Sequence, residues 1–167
     1  MNVDDLLLEA LARVREGVPA VVDGLNEAQL SSRLDGRANP IAWLVWHLTR
    51  VQDSHIADAA GGAQLWLQDG WQERFGLDLP ADDTGYGHES ADVAKVRATA
   101  ELLTGYHAAV AARSEQFVRG LEPADLDRVV DELYSPPVTL GVRLVSIVDD
   151  CLQHLGQAAY VRGLQSA

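Results

Sequence analysis

Apolar residues recur at helical rather than alternating spacing through most of this chain, which leaves little of it available for a sheet. From Val3 to Val22 they fall at Leu7, Leu8, Leu11, Val14, Val18 and Val21, so a first helix is expected there, ended by Gly24. Asn39-Pro40 offers an N-cap followed by proline at the first helical position, which predicts a second helix from Pro40 to Ala59, stopping at Gly61-Gly62. Ser90 is expected to cap a long third helix reaching Leu121, with Val93, Val96, Ala100, Leu103, Val110 and Phe117 in its stripe. Thr139 is expected to cap the last, whose inner stripe runs Leu144, Ile147, Cys151, His154, Ala158 and Val161. Amphipathic helices of this number, with at least one long connection, predict an all-α four-helix bundle.

The connections are legible too. Residues 61–89 are rich in Gly, Asp and Trp, which predicts a crossover containing a short helical piece. Trp66, Trp71 and Phe75 are read as a lid packing on the bundle, with the walls of a ligand pocket as the alternative. Pro123, Pro136 and Pro137 interrupt the segment before the last helix, leaving loop with an extended piece near Arg128–Leu133. With 167 residues and 47% hydrophobic content, the expectation is one domain over 1–167. A formal charge of −12, from 25 acidic and 13 basic side chains, argues against nucleic acid or an anionic membrane surface as partner. Cys151 is the only cysteine, the N-terminus carries acids where a secretory signal would carry Lys or Arg, and no apolar run nears the ~20 residues of a membrane span. A cytoplasmic protein is expected.

Against this background the polar residues within apolar helices stand out. His47 lies in IAWLVWHLTRVQDSH, beside Trp43, Trp46, Leu48 and Val51, and so near the core whichever way its ring points. Asp150 and His154, four apart, share one face of the last helix. Two imidazoles and a carboxylate suit a borderline divalent ion such as zinc, nickel or ferrous iron, with a coordination position left open. Cys151 can replace Asp150 in that set, since i, i+3 also shares a face with His154. In the structural alternative Asp150 pairs with Arg50 or with a protonated His47. His55, eight positions after His47 and about 80° around the helix, is read either as a proton acceptor at the site mouth or as part of an interhelical hydrogen bond. Arg50 and Ser54 share the His47 face and can meet an anionic ligand, while Gln157 and Trp43 are candidates to support the site. His107 either approaches the metal or packs, and His88, in a glycine-rich loop, is expected to be solvated.

The stretches N39-P-I-A-W-L-V-W-H47-L-T-R and D150-C-L-Q-H154-L-G-Q157-A-A-Y-V-R-G resemble the DinB-like superfamily, in particular its mycothiol transferase and maleylpyruvate isomerase-like branch. The resemblance covers essentially the whole chain. It implies an up-down-down-up four-helix bundle with a long crossover, and a divalent metal, zinc or nickel, held by His47, Asp150 and His154. Asp150 stands where His is commonest in the superfamily, although the isomerase-like branch uses an acidic ligand followed four residues later by His. Those isomerases carry an additional C-terminal domain and this sequence ends at Ala167, so thiol transfer is expected rather than maleylpyruvate isomerisation.

The activity so implied is a metal-dependent transferase that uses a low-molecular-weight thiol such as mycothiol as cosubstrate against a small electrophile, with His55 and Arg50 as catalytic candidates. A second expectation is a non-catalytic metal- or ligand-binding bundle of stress response, with a homodimer through an exposed helix face. A non-haem iron oxygenase also uses two His and one carboxylate, but usually on a β-barrel.

Overall fold

The computed structural model describes residues 1–165 and is built on four long helices: α1 (Val3–Val22), α2 (Ile41–Ala60), α3 (Ala100–Arg119) and α4 (Leu140–Gln165). Local signals set most of their ends. Asn2 and Asp5 form a capping box at α1, Thr99 accepts from the Leu102 amide at α3, and Gly61 closes α2 in the left-handed conformation with φ 64°. Pro40 occupies the N-cap position of α2 rather than its first helical position, and no side chain caps that end, so Asn39 does not act as foreseen.

Cross-helix contacts give the topology. Gln52 donates to Ser114, so α2 lies beside α3, and Arg50 meets Tyr106, each earlier in its own helix, so the two run parallel. His47 faces His154 while His55 faces Arg143, which makes α2 and α4 antiparallel. Leu155 packs on Gly17 and Arg162 donates to the Val21 carbonyl, so α4 runs parallel to α1. A Cβ on Gly17 would come 2.5 Å from a Leu155 methyl, which is why α1 and α4 approach closely there. The order is therefore up-down-down-up, with a long crossover between α2 and α3. Val14, Val18, Leu44, Trp46, Leu103 and Ile147 are among the side chains filling the centre.

The third helix differs from its sequence reading. Ser90 opens only a single helical turn, Ser90–Val93, and the chain then unwinds before α3 starts at Ala100. Two forces account for this. Arg33 holds both the carbonyl and the hydroxyl of Ser90, and Val96 and Ala98 are drawn into the core as an extended segment, leaving Thr99 to cap. The extended piece foreseen near 128–133 is a strand, β1 (Val129–Asp131), paired antiparallel with β2 (Val138–Thr139).

The crossover holds two short helices, Leu65–Gln68 and Trp71–Phe75, where one helical piece was expected. It is tied down by a buried polar network. Asp53 of α2 accepts from the amides of Leu65 (3.0 Å) and Trp66 (2.8 Å), serving as the acceptor that the start of the first short helix lacks locally, and from the Tyr106 hydroxyl (2.8 Å). Arg50, fully buried 3.7 Å from Asp53, donates to Gln64, to Tyr106 and to the Asp83 carbonyl at the far end of the crossover. Trp66 packs among Phe75, Tyr106 and the Arg50 guanidinium, so the aromatic group covers the bundle.

Removing Asp53 leaves Arg50 without its buried counter-charge. Asp53→Ala is expected to cost about 3 to 5 kcal/mol of stability, and Tyr106→Phe about 1 kcal/mol, both read from urea unfolding midpoints. Equal midpoints for parent and Asp53→Ala would show that the network does not hold the crossover.

Candidate functional site

The three residues singled out in the sequence converge. His47 projects from α2, Asp150 and His154 from consecutive turns of α4, and their ligand-type atoms lie within 4.8 Å of one another. The His47 and His154 rings meet edge to face with centroids 4.8 Å apart, and His154 Nε2 lies 3.5 Å from an Asp150 oxygen. The other Asp150 oxygen, Oδ2, is buried with no hydrogen-bond partner. A carboxylate oxygen in that position is costly unless a cation or donor faces it.

Both rings are oriented from behind. His47 Nδ1 lies 2.5 Å from the Thr84 carbonyl, which can only accept, so Nδ1 carries the proton and Nε2 keeps its lone pair. His154 Nδ1 is engaged by the Gln157 side-chain amide at 2.9 Å, which turns Nε2 toward Asp150. Trp43 stacks on His47 at 4.6 Å and 14° between planes. Two neutral nitrogen donors and one carboxylate oxygen, each ring held through its other nitrogen, fit a divalent ion of the zinc or nickel kind.

The loop 83–88 supplies part of this support and was not foreseen. Asp83 accepts from the Gly85 amide (2.7 Å) and from His88 Nε2 (2.8 Å), while His88 Nδ1 accepts from the Trp43 indole (3.0 Å). The His88 side chain is therefore enclosed, not solvated as its glycine-rich surroundings implied, because its two ring nitrogens bridge the loop to α2. Gly85 sits at φ 90°, and a Cβ there would come 2.8 Å from His47 Nδ1 and 2.9 Å from the Trp46 ring, so only glycine lets the Thr84 carbonyl reach the histidine. The glycines of D83-T-G-Y-G-H88 were the available signal, at positions where both take positive φ.

Electrostatics separate the two histidines. Burial holds the His47 pKa below its ordinary value, against the opposing pull of the Thr84 hydrogen bond and the Asp150 charge. The hydrogen bond to Asp150 raises that of His154. His47 is thus neutral first on raising the pH, and His154 keeps its proton longest.

Beside the trio opens a cavity of about 430 Å3, whose walls include His47, Asp150, Ser54, His55, Tyr86 and Tyr134. Other candidates fall elsewhere. Arg50 does not line this cavity and is not the partner of Asp150: it is fully buried beside Asp53, with Nε and Nη1 bonded to the crossover and Tyr106 and Nη2 left without a partner. His107 packs against Thr49 (3.2 Å), away from the trio and the cavity, with burial lowering its pKa to about 4. The Cys151 thiol faces the Leu48 carbonyl and Gln52 and is pushed up by burial, which leaves Asp150 as the third member of the cluster. His55 takes the interhelical contact considered for it, with Arg143 of α4.

Comparison with known proteins gives a consistent picture. A family model described as mycothiol-S-transferase matches residues 6–166. A crystal structure described as the conserved protein of locus from Enterococcus faecalis superposes with a TM-score of 0.91 at 34% identity, covering 97% of this chain and 96% of that one. No curated protein matches the chain.

Filling the space at Gly85 tests the orientation of His47. Gly85→Ala is expected to weaken zinc binding about 10- to 100-fold, the usual cost of losing an orienting partner, with the helical circular dichroism retained. Competition with a chromophoric chelator measures it, and parental affinity would show that the Thr84 carbonyl has no part in holding the ring.

Proposed function

The chain belongs to the mycothiol-S-transferase family, and from that premise we propose that it transfers a low-molecular-weight thiol such as mycothiol to a small electrophile, with a divalent metal ion, zinc or nickel, held by His47, Asp150 and His154. The observation that carries the metal is the partnerless Oδ2 of Asp150 beside two imidazoles whose Nδ1 atoms are both occupied. An ion bound there lowers the pKa of a thiol, so that the nucleophile is present as thiolate at neutral pH.

The residues of the chain do the rest. Thr84 and Gln157 keep Nε2 of each histidine available, and Trp43 holds the His47 ring plane against rotation. The cavity beside Asp150 receives the electrophile between Ser54 and the two tyrosines, close enough to the sulfur for positioning to add to thiolate fraction. Among the described residues no helix is long and apolar enough to cross a membrane, and the single reduced cysteine accords with our assignment to the cytoplasm.

Metal content of protein purified without a histidine tag is expected to be stoichiometric, and to be lost in His47→Ala and His154→Ala. Equal content in all three would remove the centre. Incubation with mycothiol and a panel of electrophiles is expected to give saturable conjugation that chelation abolishes; a metal-loaded protein inert across the panel favours a binding bundle instead.

Acid dependence follows from the histidines. Metal must displace the His154 proton, whose pKa lies above the ordinary 6.5 because of Asp150. Apparent zinc affinity therefore rises with pH through that raised value and levels off above it, while His47 sets no limit there. Chelator competition across the neutral range checks this, and a flat profile would show that His154 is not a ligand.

A further inference from the structure

Behind His55, which lines the cavity, Arg143 of α4 donates to its Nδ1, and the other terminal nitrogen of Arg143 donates to Asp131 of β1 at 3.0 Å. A guanidinium has donors only, so His55 Nδ1 must be the acceptor and the one proton of the neutral ring sits on Nε2. Burial, and then the Arg143 charge, hold the His55 pKa down, against the weaker pull of Asp150, Asp58 and Asp131. The Asp131 carboxylate that steadies Arg143 also accepts from the Leu133 amide, which fixes it on the hairpin. His55 lines the same cavity as His47 and Asp150, and with Nδ1 engaged, Nε2–H is the polar group its ring has left to offer there.

Such a ring cannot act as a base, because its acceptor nitrogen is taken. Nor does it release its proton readily, since that would leave an anionic ring. It is suited to donating a hydrogen bond to an oxygen on which negative charge develops.

We propose that His55 is a fixed hydrogen-bond donor to the carbonyl oxygen of the electrophile, and that Arg143 is the positioning residue that imposes its Nε2–H form. With an enone as the electrophile, the thiolate sulfur bonds to the β-carbon, the carbon–carbon π pair forms the new α-carbon to carbonyl-carbon double bond, and the carbonyl π pair moves onto oxygen, where His55 stabilises it. Water then delivers to the α-carbon the proton the thiol gave up, and thiol plus enone equals adduct. The reaction step rests on the thiol-transfer reading; the tautomer and the carbonyl contact do not.

Long-range proton–nitrogen NMR of isotope-labelled, zinc-loaded protein is expected to show His55 protonated at Nε2, with Arg143→Gln yielding mixed tautomers and Arg143→Lys restoring the parental one. Acetophenone, a conjugated carbonyl that does not react, is expected to shift the Nε2 resonance and to bind about tenfold more weakly to His55→Phe. A ring protonated at Nδ1, or an Nε2 resonance indifferent to saturating acetophenone, overturns the proposal. Neither reading needs turnover, so a parent protein that conjugates nothing counts against thiol transfer alone. In turnover, His55→Phe is expected to lower kcat/KM for cyclohexenone at least tenfold more than for benzyl chloride; equal losses overturn the contact of His55 with the reacting oxygen.

Discussion

The buried Asp53 carboxylate is the point on which the positions of most other parts depend. It faces two backbone amides of the crossover, the Tyr106 hydroxyl and the neighbouring Arg50 guanidinium, all out of water. A charge so placed is tolerated only when paired and fully hydrogen-bonded, so the segment after α2 cannot lift away without stranding it. Arg50 carries the constraint onward to the Asp83 carbonyl. The next residues, Thr84 and Gly85, lie directly on His47. A network that never touches the cavity thereby sets the direction of the ring at its edge.

The candidate centre shows the same division between residues that face inward and residues that hold them. His47 is supported by the crossover and Trp43, and His154 by Gln157 on its own helix. His55 is supported by Arg143 and, through it, by the hairpin. Each histidine meets its partner through Nδ1 and turns Nε2 the other way, yet the outcomes differ. A carbonyl partner leaves Nε2 as an acceptor, fit for a cation, whereas a guanidinium partner leaves Nε2 as a donor, fit for a developing oxyanion.

Much of the bundle was legible because helices announce themselves locally. The stripe of α4, the stripe of α1 and the glycine stop of α2 depend on neighbours within a turn or two. The break before α3 was not legible, since it depends on Arg33 gripping Ser90 from 57 residues away and on core burial of Val96 and Ala98. Arg50 was misplaced for a related reason. Its spacing from His47 predicted a shared face, but Gln64 and Asp83, which accept from its Nη1 and Nε, come from the crossover. His88 looked solvated because a Gly-rich stretch carries no sign of the indole and carboxylate that enclose it.

The sequence by itself determined the helical class, the approximate limits of three of the long helices, and the pairing of Asp150 with His154 on one face, since periodicity and i, i+4 spacing are properties of the chain read locally; His47 joined them through the family resemblance. Only the tertiary structure decided which nitrogen of each histidine faces the cavity and which polar residues are withdrawn from it. An imidazole takes its tautomer from the group opposite it, and for His47 and His55 those groups, Thr84 and Arg143, are 37 and 88 residues away.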